Sequence, residues 1–283
     1  MIQLADDGQV AEPQDAATVI VYRRHPELQI FMVKRHARSK FMANAMVFPG
    51  GRLESTDLDE SWSDHLDITG EEAAHRLNEA DIPKARGLLI AAIRETFEEA
   101  AILLMQQTEK SPPLDAPTLL GARDELNQRT ATFLSQVKGW HLRLSTEALT
   151  YVSRWRTPAI EKRRYDARFF SIECPPNQSG QHDDLETTSS DWLSPDTALE
   201  QYSDGRIELA PPTLRILLTC ATDPRWLWRP RATPITAIEP QARLDDGQLH
   251  LVLPGDPAFE PSGSTPNRVS RIHDRWVSVG TGA

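Results

Sequence analysis

The segment Ala91–Leu103, AAIRETFEEAAIL, admits few structures. An α-helix advances about 100° per residue, so Glu95, Glu98 and Glu99, at i, i+3 and i+4, fall within an arc of roughly 100°. Ile90, Ile93, Phe97 and Leu104 lie on the other side as a core-facing stripe. The pattern predicts an amphipathic helix that restarts after Asp81-Ile82-Pro83 and runs from about Lys84 to Met105, with its carboxylates on the outer face. Like charges at this spacing repel by a few tenths of a kcal/mol per pair. Two readings fit that face. One is a solvated acidic surface; the other is a hard-cation site, because carboxylate oxygens suit Mg²⁺ or Mn²⁺ and such an ion removes the repulsion. Arg94 stands beside Glu95, where it can orient that carboxylate.

Ahead of this helix lies Val47–Arg52, VFPGGR. Gly50 and Gly51 permit a close backbone approach, so that a main-chain carbonyl can join a ligand's shell. Alone, Pro-Gly-Gly is an ordinary turn. Paired with an Arg-Glu-x-x-Glu-Glu helix, it becomes specific.

The rest of the chain narrows the function classes. Its net charge of −10 disfavours a nucleic-acid surface, since phosphate backbones select basic faces. A small phosphorylated ligand remains compatible, because a local basic rim or a divalent cation reverses the sign within one cleft. The two cysteines, Cys174 and Cys220, have no metal-like spacing and read as reduced thiols. The polar, acidic start MIQLADDGQV does not read as a signal peptide, and no apolar run reaches membrane-spanning length. The expectation is a cytoplasmic protein with no membrane partner.

Strand and helix patterns interleave, which predicts an α/β or α+β layered fold. Ala17–Arg23 and Leu28–Arg35 read as strands joined by a turn at His25-Pro26, and Ser55–Leu66 reads as an acidic loop. Thr69-Gly70-Glu71-Glu72 reads as a capping box opening a helix to about Ala80. Leu119–Val137 is helical in pattern. TYVSRWRTP, ARFFSIECP and TTSSDWLS then read as strands, and Ser194-Pro195 and PPTLRILLTCA as helix starts. Beyond Pro230 the composition turns to Pro, Gly and polar residues, with strand-like QLHLVLPG and DRWVSV.

Together the turn and the helix resemble the Nudix hydrolase box, G-x5-E-x7-R-E-U-x-E-E-x-G-U, where U is a bulky aliphatic residue. Gly51 takes the leading glycine, Arg94-Glu95 the R-E pair, Glu98-Glu99 the paired carboxylates and Ile102 the last aliphatic position. Four positions depart from the pattern. Asp57 stands where the box has Glu, and 36 residues, not seven, separate it from Arg94. Thr96 occupies an aliphatic position, and Ala101 replaces the late glycine. The long insertion is similar to that of a subgroup that includes the peroxisomal coenzyme A diphosphatases and reads R-E-x-F-E-E. WRTP, RRYDARFF, DWLSP and PPTL resemble the same subgroup downstream. The resemblance spans roughly residues 18–222.

It implies an α/β/α sandwich with a mixed sheet. The expected organisation is a flexible segment 1–16, a Nudix domain 17–229 with a helical insertion at about 55–90, and a strand-containing extension 230–283. The implied reaction is hydrolysis of a nucleoside diphosphate linked to another moiety, coenzyme A or an acyl-CoA included. Glu98 and Glu99 would bind Mg²⁺ or Mn²⁺, with Glu95 as ligand or general base, a Gly50 or Gly51 carbonyl (Gly51 taken as the ligand) and Arg94 in support. A later acidic loop assists in many such enzymes, and Glu186 is the candidate; a solvated acidic loop reads equally from that stretch. The coenzyme A signature upstream of F-P-G-G is matched in part, with Arg35 in place, Lys40 for its second arginine, Asn44 for glycine and His36 for a small residue. Arg35, Arg38 and Lys40 form a basic cluster suited to phosphate, or an ordinary solvated strand end. The alternative function is a catalytically silent Nudix module that senses a ligand or binds a protein. Oligomeric state stays open, a homodimer included.

Overall fold

The structure, a computed structural model, describes residues 10–38, 44–231 and 233–280. Strand β1 (Gln14–Arg23) is apolar on both faces: Ala17, Val19 and Val21 enter one core and Ile20 and Tyr22 another. A strand with both faces covered reads as a continuous apolar run, as TVIVY does. It begins at Gln14, with Asp15 paired to Arg168, so residues 14–16 belong to the sheet and not to the flexible segment expected over 1–16.

Strands β2 (Gln29–Arg35), β3 (Ala45–Val47) and β4 (Gly50–Arg52) follow. The stretch expected as loop forms two 3₁₀ turns, Ser55–Leu58 and Glu60–His65. Helix α1 (Gly70–Leu77) opens on the expected capping box, with Thr69 and Glu72 bonding each other's backbone N–H. Helix α2 (Ile82–Ala100) is capped by Asp81. It ends five residues before the expected Met105. Ala101 takes a left-handed φ of 51° and its N–H bonds the Phe97 carbonyl, closing the helix. The Gln178 side chain then holds both the N–H and the carbonyl of Leu103.

Next come β5 (Met105–Gln107) and two helices where one was expected, α3 (Ala116–Asn127) and α4 (Phe133–Gly139). Arg129 at positive φ breaks the run, and Thr132 caps the second piece. The chain continues through β6 (Leu142–Leu144), β7 (Thr150–Arg156), β8 (Tyr165–Glu173), β9 (Thr187–Leu193), α5 (Pro195–Ser203), β10 (Glu208–Leu209) and α6 (Pro211–Thr222). Four strands close it: β11 (Gln241–Asp245), β12 (Gln248–Val252), β13 (Arg268–Ile272) and β14 (Arg275–Val279).

The main sheet is mixed, in the order β10-β3-β2-β1-β8-β7, with β4 on β1 and β9 on β2. β1 runs parallel to β8 and antiparallel to its other partners. Its first half, Ala16–Thr18, pairs with β4, whereas its end, Tyr22–Arg23, pairs with β2. The sheet therefore splits along β1. One core packs α1 and α2 on one face, and the other packs α5, α6 and the last four strands on the opposite face. Those strands form an antiparallel meander fixed by Arg215 bonds to Ser278 and Asn267 and by the Tyr202 hydroxyl on the Trp276 backbone. Among the described residues no helix is long and apolar enough to cross a membrane.

Candidate active site

The polar face of α2 is not the outer face that its periodicity suggests. It turns into the split beside β4, leaving Glu99 4% exposed and the Glu95 and Glu98 side chains 14% and 26% exposed. Arg94 sits at its centre and uses all five of its N–H donors. Nε and Nη2 grip Asp57 as a fork, both at 2.9 Å. Nη1 donates to Glu95 Oε1 at 2.8 Å and to Glu98 Oε2 at 3.2 Å, and Nη2 also meets the Arg52 carbonyl. Asp57 is thus brought to Arg94 across the whole insertion. Its Oδ2 also accepts from the Glu54 N–H, which anchors the 3₁₀ turn behind it. The shorter side chain at that box position still reaches its arginine because the turn carries it inward.

The glycines act differently from one another. A Cβ at Gly51 would collide with the Glu95 carboxylate, so glycine there lets β4 and α2 touch. Val19 donates to the Pro49 carbonyl and Leu53 to that of Asp15, so antiparallel alternation makes Ala17–Gly51 the hydrogen-bonded pair between them. The Gly51 carbonyl is directed at β1, which runs against its expected part as a ligand. Gly50 faces the other way: its N–H donates to Glu99 Oε2 at 3.0 Å.

Electrostatics mark the cluster as overloaded with negative charge. Burial raises the pKa of all three glutamates. Glu98 is pushed up to about 7 by burial, with Glu95, Glu54 and Asp57 adding to it against Arg94. Glu99 is held well above the carboxylate range by burial and by Glu95, with the Gly50 amide and Arg35 opposing. Burial works against the charge of Arg94, but Asp57, Glu95 and Glu98 keep it firmly protonated. Among the described residues no three His, Cys, Asp or Glu side chains close into a ready coordination shell. The donor set is nonetheless all oxygen, adjacent and short of positive charge, which fits a hard divalent cation.

The site opens on a cavity of about 1510 Å³. Glu95, Glu98, Arg94, Arg35 and Glu186 all line it. Glu186 stands just before β9, its carbonyl accepting from His36 N–H at 2.8 Å, and its charge reaches both Glu95 and Glu99. The Asp183 carboxylate holds the Glu186 and Thr187 amides, so this acidic loop is ordered by its own side chain. Arg38 is exposed outside the cavity, and Lys40 falls outside the described residues. From the insertion, Thr56, Asp57, Asp59 and Trp62 line the cavity, whereas α1 packs on α2 and does not. Sequence reasoning missed the pairing role of Asp57, though its box position signalled it. It also missed Trp155 and the β11–β14 residues along the cavity, because alternation marks strands without saying which face a distant cleft uses.

Fold and site together define a class. A family model, the NUDT19 Nudix domain, matches residues 71–218, just over half of the chain, and the chain belongs to the Nudix hydrolase family. Its relatives include the acyl-coenzyme A diphosphatase NUDT19 of Xenopus laevis, 30% identical over 219 residues, covering 66% of this chain and 58% of that protein. The protein of that name from Gallus gallus is 30% identical over 224 residues, covering 66% and 59%. The match therefore spans less than two thirds of those relatives' own length. A solved NUDIX hydrolase from Alicyclobacillus acidocaldarius shares the fold, with a TM-score of 0.61 at 21% identity over 76% of this chain and 94% of that one.

Proposed function

We propose that the protein is a metal-dependent diphosphatase that cleaves the P–O–P linkage of coenzyme A or an acyl-coenzyme A. The observation that carries this reading is the convergence of Glu95 and Glu98 at one large cavity, with Glu99 buried behind them on the Gly50 N–H and Gly51 packed on Glu95. The names of the relatives support the choice of substrate.

A diphosphate is polyanionic and repels both hydroxide and a carboxylate cluster. Bound Mg²⁺ or Mn²⁺ would neutralise that charge and acidify a water molecule. Glu98 and Glu99 would hold the ion with the carbonyl of Gly50, which shares the side of the strand on which its N–H meets Glu99. Arg94 keeps Glu95 and Glu98 oriented while Asp57 fixes Arg94 from behind. Glu95, or Glu186 from across the cleft, accepts the proton of the attacking water. Arg35, which lines the cavity, would meet the phosphates. Water adds at one phosphorus, the bridging P–O bond breaks, and each product leaves with one of the two phosphates of the linkage.

The test is a panel of diphosphate compounds, coenzyme A and acetyl-CoA among them, assayed for monophosphate products with Mg²⁺ or Mn²⁺. Turnover with either ion and none in EDTA is expected. Full turnover in chelator overturns the metal mechanism, and binding without cleavage of any compound leaves the silent ligand-sensing module.

A further inference from the structure

The cavity is larger than the 300–1,000 Å³ common for small-molecule pockets, and its two ends differ in chemistry. One end holds the α2 carboxylates. From there it crosses the sheet face opposite α2, past Thr18, Ala167 and Phe169, and ends against the meander. Ala242, Leu249, Leu251 and Trp276 wall that end from β11, β12 and β14. Leu251 and Trp276 are buried in the second core, while Ala242 and Leu249 are half-buried at the cavity's edge. Trp155 adds a polar feature. It lines the same space at 3% exposure, and its indole N–H has no hydrogen-bond partner. A buried donor left unpaired costs stability unless a ligand acceptor meets it.

We propose that the meander builds a subsite for the acyl-bearing arm of the substrate, an aliphatic chain lying on Ala242, Leu249 and Trp276 while a carbonyl of the arm accepts from Trp155 Nε1. Continuity carries the assignment: a molecule whose diphosphate sits at the glutamates extends along this cavity to a far wall where Ala242, Leu249, Leu251 and Trp276 stand beside exposed Arg243 and Asp274 and half-buried Arg271. The meander, β11 to β14, lies wholly outside the range matched by the family. The subsite rests on the diphosphatase reading for its substrate, though not for its own test.

That test uses S-acetyl-pantetheine and S-dodecanoyl-pantetheine, which carry the arm without the diphosphate, with binding measured by calorimetry on the full chain. The dodecanoyl probe should bind at least about tenfold more tightly than the acetyl probe, as expected of several methylenes entering an apolar pocket. Ala242→Phe, which fills the pocket, and Leu249→Asp, which charges it, should each erase most of that difference. Trp155→Phe should weaken both probes alike, since it deletes the donor and keeps an aromatic ring. Circular dichroism checks that each variant is folded, and the chain-length dependence of the unaltered protein needs no variant. Indifference to chain length in that protein overturns the proposal, as do Ala242→Phe and Leu249→Asp variants that keep full length dependence. If the length dependence appears and no diphosphate is cleaved, the subsite stands and the activity reading falls; cleavage without length dependence reverses that outcome.

Discussion

Two buried arginine centres sit on either side of β1, and they are balanced in opposite ways. Around Asp166, 6% exposed, three guanidiniums converge: Arg154 donates twice at 2.7 Å, Arg156 at 2.9 Å, and Arg168 lies 3.4 Å away. Burial alone would raise this carboxyl, but the three cations override it and bring it to about 2. Around Arg94 the ratio is inverted, with Asp57, Glu95 and Glu98 on one guanidinium and Glu99 beside them. There Glu98 rises to about 7. Asp15 and Glu79 also pair with Arg168 and Glu239 with Arg156, so the Asp166 centre neutralises itself. A network that leaves an anionic surplus facing a cavity is poised for a cation from outside.

The sharpest way to break this contrast is to remove the surplus. Glu98→Gln and Glu99→Gln keep side-chain shape, and the amide oxygen introduced at position 99 can still accept from the Gly50 N–H. Turnover at saturating substrate and Mg²⁺ should fall by about 10²- to 10⁴-fold, the range of positioned catalytic and electrostatic groups. The melting temperature should hold or rise, because repulsion on α2 is relieved. Variants with full turnover would reduce the cluster to a buried acidic curiosity.

Removing the cation should do the opposite. Arg94→Met leaves Asp57, 1% exposed, facing two more carboxylates without compensation, and breaking a buried pair from one side costs about 3–5 kcal/mol. Arg168→Met should cost less, because Asp166 keeps Arg154 and Arg156 while Asp15 and Glu79 keep Lys84. Urea unfolding of both variants measures the difference. Adding Asp57→Leu to Arg94→Met should restore much of the stability and none of the activity. Equal costs for the two arginines would mean that the ratio of charges does not govern either centre.

Much of this contrast was legible along the chain, and the limits have physical causes. The i, i+3, i+4 spacing set three glutamates on one helix face, and Thr69–Glu72 and Asp81-Ile82-Pro83 marked two helix starts. The same spacing could not tell a solvated face from one turned into a cleft, since periodicity is blind to what covers the polar side. α2 stops at Ala100 through a left-handed alanine, a position at which glycine would have given warning. Asp57 looked displaced by a long insertion, yet the turn at Ser55–Leu58 returns it to Arg94 before the chain departs. Gly50 and Gly51 were equivalent in sequence and separated only by ladder register. The meander's cavity wall was invisible, because the meander is placed by contacts with α5 and α6, far away in the chain.

The smallest expected effect concerns the balanced centre and its response to acid. Asp166 has a folded-state pKa of about 2 against an ordinary 3.8, so the native state holds its charge more firmly than the unfolded chain does. A depressed carboxyl contributes stability that is fully present above about pH 4 and is lost as pH falls through about 2, where both states are protonated. A shift of this size corresponds to about 2 kcal/mol, and the side chain is 8% exposed, so solvent screens it little. Asp166→Asn should therefore be less stable than the unaltered protein by about that amount at pH 5. The gap should narrow through pH 4 to 2, as followed by urea unfolding across that range. Comparing the two proteins at each pH cancels the titration of every other carboxylate. A gap that stayed constant across the window would show that Arg154, Arg156 and Arg168 hold Asp166 by shape and hydrogen bonding alone, and the charge-balance contrast with Arg94 would lose its second half.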